Sequence, residues 1–141
     1  MAKRPYTRPL MMLQEAGLRP TRQRMGLARL LFEAGNRHVT AEDLYAEAKA
    51  AGIPVSLATI YNTLHQFTAS GLLREVVVEP GRAYFDTNTS GHHHFFFEET
   101  GGICDIPEND ISVARLPTLP DGTTLSRVDV VVRVTGKPEN K

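Results

Sequence analysis

The first seventy positions carry apolar residues at helical spacing, and the rest carry them in short strand-like runs separated by glycine and proline. Leu10, Met11, Leu13 and Leu18 predict a short helix that stops at Gly17, a C′ glycine. Thr21 can cap a second helix whose stripe is Met25, Ala28, Leu31 and Phe32, and Gly35-Asn36 ends it. Thr40-Ala-Glu-Asp43 is a capping box for a third helix, with Leu44, Tyr45 and Ala48 facing inward. After the break at Gly52-Ile-Pro-Val, Ser56 caps a fourth helix from Leu57 to about Ala69. Leu57, Ile60, Leu64 and Phe67 share its apolar face, and Thr59, Asn62 and Gln66 face away. Helix, short turn and helix with small polar groups outward is the layout of a helix-turn-helix, although many buried helix pairs look the same.

Two strands follow, Arg74–Glu79 and Arg82–Asp86, joined by Pro80-Gly81, which fits a type II turn. A strand pair directly after the second helix of a helix-turn-helix makes a winged helix, a far more specific pattern than the helices alone. Beyond Thr87, Phe95–Glu98 and Gly102–Ile106 are strand candidates around Thr100-Gly101, Pro107 opens a short helix to about Arg115, and Arg127–Val134 is a strand. Pro117, Pro120 and Asp121-Gly122 mark the loop between them. The pattern predicts an α+β protein: a winged helix-turn-helix domain over 1–87 and a small α/β domain over 88–141. Three strands and one helix bury little, so the second domain is expected to pair through its sheet with another copy of the chain.

Charge alters the picture only at the ends. The net charge is zero, yet residues 1–37 hold eight Lys/Arg against two acids, and residues 88–141 hold five against eight. A basic amino end suits contact with a polyanion at that end alone. Residues 1–8, basic and with two prolines, read as a flexible arm, and Arg19 and Arg22 at the start of the second helix could reach phosphates. The plain alternative is a solvated basic face. No apolar run reaches membrane-spanning length and the amino end lacks a signal peptide's apolar core, so a cytoplasmic protein is expected. Cys104 is the only cysteine, which excludes an intrachain disulfide and a Cys-x-x-Cys zinc site; its place in a strand candidate suggests a core residue.

The candidate chemistry lies in Asp86, His92-His93-His94 and Asp105. If residues 92–97 are extended, His92 and His94 share one face and His93 takes the other. Two imidazoles with carboxylates before and after suit Fe²⁺, Mn²⁺ or Zn²⁺. Three adjacent histidines can also be a solvated loop end, but the flanking carboxylates favour ligands, which come in clusters.

Gly17-Leu-Arg-Pro-Thr-Arg-Gln-Arg, His38-Val-Thr-Ala-Glu-Asp-Leu-Tyr45, Leu57-Ala-Thr-Ile-Tyr-Asn-Thr-Leu64, Gly71-Leu-Leu and His92-x-His94 through Gly101 to Asp105 resemble the ferric uptake regulator (Fur) family in the same order. Within it, Ser56–Leu64, Tyr84-Phe-Asp-Thr-Asn and the histidine triplet look most like the iron-response-regulator (Irr) branch of alphaproteobacteria. The resemblance implies a homodimeric, metal-responsive transcription factor, with a tetramer as the larger alternative, that binds AT-rich inverted repeats of double-stranded DNA. It implies a regulatory Fe²⁺ or Mn²⁺ site, open to Zn²⁺ in vitro, made by His38, Asp86, His92, His94 and Asp105. It also implies base contacts from Thr59, Tyr61 and Asn62, a DNA contact from Ser56, and phosphate or minor-groove contacts from Arg19 and Arg22. Asn62 stands where many relatives have arginine, and asparagine reads adenine well. Phe97 and Thr100 occupy the positions of the family's Cys-x-x-Cys, so no four-cysteine structural zinc is expected. An auxiliary site that needs a histidine near the last strand meets Asp129 here and is expected to be missing or altered.

The Irr branch responds to haem, for which His92, His93 and His94 are the candidate axial ligands. On that branch the protein controls haem synthesis, iron storage and iron uptake genes. Two rivals stay within the family, a Fur-type metal corepressor sensor and a peroxide sensor whose iron oxidises His92 or His94. From other classes come a metal-storage protein without DNA function and a small metalloenzyme; the latter lacks a general base beside the histidines, so the chain is read as no enzyme.

Overall fold

The computed structural model describes residues 7–136. Most of the basic arm expected over residues 1–8 lies outside the described residues; its last two positions already belong to the first helix. The chain divides into two compact units that part between Thr89 and Ser90.

The first unit runs α1 (Thr7–Glu15), α2 (Arg22–Phe32), β1 (His38–Val39), α3 (Ala41–Ala50), α4 (Leu57–Ala69), β2 (Arg74–Glu79) and β3 (Arg82–Asp86). Each helix boundary has a local cause. Leu18 N–H reaches back to the Leu13 carbonyl across Gly17, whose φ of +76° a side chain would strain. Thr21, Thr40 and Ser56 accept from the backbone N–H of Arg24, Asp43 and Thr59, and Asp43 returns the bond to Thr40 N–H in a complete capping box. The strands form an antiparallel sheet in the order β1-β3-β2, and Gly81 takes φ +77° in the β2–β3 turn, as the third position of a type II turn requires.

The core of this unit is one cluster in which Leu13, Leu27, Ala28, Leu31, Leu44, Ala48, Ile60, Leu64 and Phe67 are fully buried, with Phe32, Val39, Leu73 and Phe85 closing it. Three expected core positions, Leu10, Met11 and Leu57, lie outside it. Met11 is 53% exposed, and Met12 packs on the cluster instead, because Leu13 sets which face of α1 turns inward. Leu57, in the first turn of α4, is 37% exposed, since the helix enters the core only from Ile60 onward.

The second unit runs β4 (His92–Phe97), β5 (Ile103–Pro107), a single 3₁₀ turn (Glu108–Asp110) and β6 (Val131–Val134). Its sheet has the order β5-β4-β6, with β5 antiparallel and β6 parallel to the central strand. The helix expected from Pro107 to Arg115 is not formed: after one 3₁₀ turn the chain runs without regular structure to Val130. Asn109, Asp110 and Ser112 offer their own backbone competing hydrogen bonds, and Ile111 and Val113 are β-branched, so nothing there favours a helix. The last strand is shorter than 127–134, because β4 offers partners only from His94 to Phe97. Cys104 is exposed and not a core residue. It lies on the edge strand β5, opposite Phe95, on the less covered side of the sheet. No helix among the described residues is long and apolar enough to cross a membrane.

Candidate metal centre and DNA-reading face

Each unit holds a cluster of ligand-type side chains. In the first, the register of β1 against β3 sets His38 opposite Asp86. His38 Nε2 lies 3.1 Å from Asp86 Oδ2, the carboxylate is almost wholly buried, and its Oδ1 accepts the Asn88 backbone N–H at 2.9 Å. Thr87 N–H donates to the Arg37 carbonyl and the Thr87 hydroxyl accepts the Arg37 N–H, which holds the ends of these strands together.

In the second unit, the alternation of β4 puts His92, His94 and Phe96 on one face, and the β4–β5 register sets Asp105 opposite His94. His92 Nε2 and His94 Nε2 each lie 3.4 Å from the same oxygen, Asp105 Oδ1, and the two rings meet edge-on with centroids 4.6 Å apart. Both imidazoles are buried, and the carboxylate is 39% exposed. His92 Nδ1 lies 2.6 Å from the Ser90 carbonyl, which can only accept, so Nδ1 carries a proton there and Nε2 is the atom turned toward the carboxylate. A second-ring hydrogen bond of this kind is how histidine ligands are oriented.

The donor chemistry fits a divalent transition ion. Imidazole nitrogens and carboxylate oxygens bonded at about 2.0–2.2 Å to one ion stand roughly 3.0–3.4 Å from each other. The His38–Asp86 contact and both contacts to Asp105 have that spacing. His93 faces the other way, as alternation requires, and its Nδ1 accepts the Val130 backbone N–H at 3.1 Å, which ties β4 to the approach to β6. At the zinc-motif positions, Phe97 packs against Phe95 and the Thr100 hydroxyl accepts the Gly102 N–H.

The six residues expected to meet DNA all belong to the first unit, and they divide by what they touch. Ser56 Oγ is occupied by the Thr59 backbone N–H and lies 3.0 Å from Thr59 Oγ1, so both residues build the start of α4. Tyr61 donates its hydroxyl to Glu42 on α3 at 2.7 Å, and this bond to a carboxylate raises the phenol above its ordinary pKa. Asn62, Arg19 and Arg22 are exposed, and their side chains make no hydrogen bond or ion pair among the described residues.

Arg24 and Glu42 escaped the sequence reading. Arg24 donates from Nη1 to the Arg19 carbonyl at 2.9 Å and from Nη2 to Gln66 Oε1 on α4 at 2.8 Å. The one signal in the sequence was its place in a basic run, which suggested solvent or phosphate as its partner.

The ferric uptake regulator family model matches residues 15–132. The ferric uptake regulation protein of Pseudomonas aeruginosa is 38% identical over 100 residues, 70% of this chain and 75% of that protein. The peroxide-responsive repressor PerR of Staphylococcus aureus is 37% identical over 95 residues, 67% of this chain and 63% of that protein. Among solved structures, the manganese-containing ferric uptake regulator of Pseudomonas aeruginosa superimposes with a TM-score of 0.71 at 28% identity, covering 92% of this chain and 98% of that one. The chain therefore belongs to the ferric uptake regulator family of metal-responsive, DNA-binding transcription regulators.

Proposed function

We propose that this regulator reads an AT-rich inverted repeat as a dimer, and that its grip on DNA is set by one Fe²⁺ or Mn²⁺ held by His38, Asp86, His92, His94 and Asp105. The observation that carries the reading is the pairing in each unit: a histidine against a carboxylate in the winged-helix unit, and two histidines on one carboxylate oxygen in the other. A ligand set drawn from both units would fix the angle between them, and so the separation of the two reading helices in a dimer. Affinity for metal and affinity for DNA then become reciprocally linked. Asn62 and Tyr61 on α4 would meet base edges, and Arg19 and Arg22 would meet phosphates, so affinity falls steeply with salt.

The test is a titration of the full chain with Mn²⁺ while a labelled AT-rich palindrome reports binding. Metal should tighten binding, and His38→Ala and His94→Ala should each abolish the gain. Equal binding by loaded and metal-free protein would remove the mechanism.

We infer from the resemblance of residues 56–64, 84–88 and 92–94 that the protein belongs to the iron-response-regulator branch. That placement makes haem the competing signal and haem synthesis, iron storage and iron uptake genes the targets. Haem added to the protein should then give a Soret band that shifts in a histidine variant and should release DNA. The peroxide-sensing alternative draws on the PerR relative. It predicts a mass gain of one oxygen on His92 or His94 after peroxide meets the iron-loaded protein.

A further inference from the structure

The basic run at the start of α2 divides into two kinds of arginine. Arg19 and Arg22 are exposed, and their side chains make no hydrogen bond or ion pair among the described residues. Half-buried Arg24 uses both terminal nitrogens of its guanidinium at the surface of this unit, donating one to the Arg19 backbone carbonyl and one to Gln66, well along α4. Its neighbour Gln23 donates to the Pro54 carbonyl at 2.9 Å, in the loop that leads into Ser56 and α4. The first turn of α2 thus grips α4 from two sides, at the loop before it and at its later turns. It is itself anchored, because the Arg24 backbone N–H is capped by Thr21.

We propose that Arg24 is a positioning residue for DNA recognition, a two-ended brace that holds the Arg19 loop in register with α4. The planar fork makes this possible, since two nitrogens in fixed geometry can bind two acceptors at once, which the single ammonium of lysine does not reproduce. Rigid placement matters because base readout by α4 and phosphate contact by Arg19 must be satisfied in one docking geometry. Loss of the brace leaves the contacts intact and makes their relative placement variable. This inference rests on the reading of α4 and Arg19 as DNA-facing.

The test uses the Mn²⁺-loaded full chain and a fluorescein-labelled AT-rich duplex over a salt series. Arg24→Gln should weaken binding by about five- to tenfold, within the range of coupled neighbours, and leave the slope of log affinity against log salt unchanged. Gln66→Ala should weaken binding in the same direction, and the double variant should be no worse than Arg24→Gln alone. Arg24→Lys keeps the charge and loses the fork, so it should behave as Arg24→Gln. Arg19→Gln, by contrast, should lower the slope by about one per subunit, as a lost phosphate contact does. A lowered slope in Arg24→Gln, full activity in Arg24→Lys, or additive losses with Gln66→Ala would each overturn the brace. Amide exchange separates this from a failure of the DNA reading. With or without DNA, exchange over residues 57–69 should quicken equally in Arg24→Gln and Gln66→Ala, and unchanged exchange there would also overturn it.

Discussion

The two units solve the problem of staying folded by opposite means. The winged-helix unit encloses a continuous apolar cluster, with nine side chains at 0% exposure drawn from all four helices. In the second unit the only buried apolar side chains among the described residues are Phe96 and Ile106, beside three buried imidazoles, His92, His93 and His94. Val113, Leu116, Leu119 and Leu125, which could have formed a second core, are each at least 40% exposed. A buried imidazole gains little from leaving water unless a hydrogen bond or a metal replaces that water. One unit is therefore held by transfer of apolar surface, and the other by polar partners, with ample surface left for a second copy of the chain. On the proposed reading this division suits a regulator, since the DNA-reading unit would stand on its own core and the second unit would depend on what it binds.

The contrast breaks most visibly in the core. Phe67 is fully buried and its ring lies 6.4 Å from that of Phe32. Phe67→Ala should cost about 3–5 kcal/mol, a large share of the stability of a small domain. Hydrogen exchange should show the loss over α2–α4, with β4 and β5 keeping their protection. Equal loss in both units would mean that they fold as one and that the contrast is false.

Metal should act in the other direction. Mn²⁺ at a hundred times its dissociation constant should stabilise the state that binds it by about 2.7 kcal/mol, read as slower exchange along β4 and β5 and reversed by a chelator. Exchange along β1 and β3, which carry His38 and Asp86, should slow with them if one ion is held from both units. His94→Ala should abolish the effect, because its Nε2 shares Asp105 Oδ1 with His92. A smaller change sharpens the same comparison: Ser56→Ala removes the cap of α4 and should cost about 1 kcal/mol. That loss should be visible in thermal unfolding of the first unit and absent from β4–β6.

The same division governs how much could be read from the sequence. The helices of the first unit were legible because their caps and stripes are local. Thr21, Thr40 and Ser56 bond to backbone three residues on, and Leu44 and Ala48 stand one turn apart. The shared face of His92 and His94 followed from strand alternation alone. His38 did not, because its partnership with Asp86 comes from a two-residue strand paired across most of the unit, which no periodicity reveals; it entered through the family resemblance. The second unit was misread after Pro107, where sparse β-branched apolar residues left helix and irregular chain hard to tell apart. Cys104 was misplaced because burial of a strand residue depends on whether the strand lies at the centre or the edge of its sheet. Arg24 shows the same limit in a side chain, since a charge that caps a distant carbonyl looks in sequence like one that faces solvent.

The smallest effect concerns the surface between α3 and α4, where the first unit, too, relies on a polar contact. Tyr61 donates to Glu42, and that bond raises the phenol's pKa, burial and the carboxylate's charge adding to it. The bond exists only while the phenol keeps its proton. Its contribution is therefore present below the ordinary tyrosine range, roughly pH 10, and is lost as pH rises through the higher folded value. Ultraviolet difference absorbance should show two tyrosines, Tyr61 and Tyr84, ionising above the ordinary tyrosine range, and Glu42→Gln should bring one of them back. If only one is late and it persists in Glu42→Gln, it is Tyr84, whose pKa is raised chiefly by burial. Tyr61 would then be free of α3 in solution. The helix pair would lose this polar contact, and the contrast between the two units would be sharper.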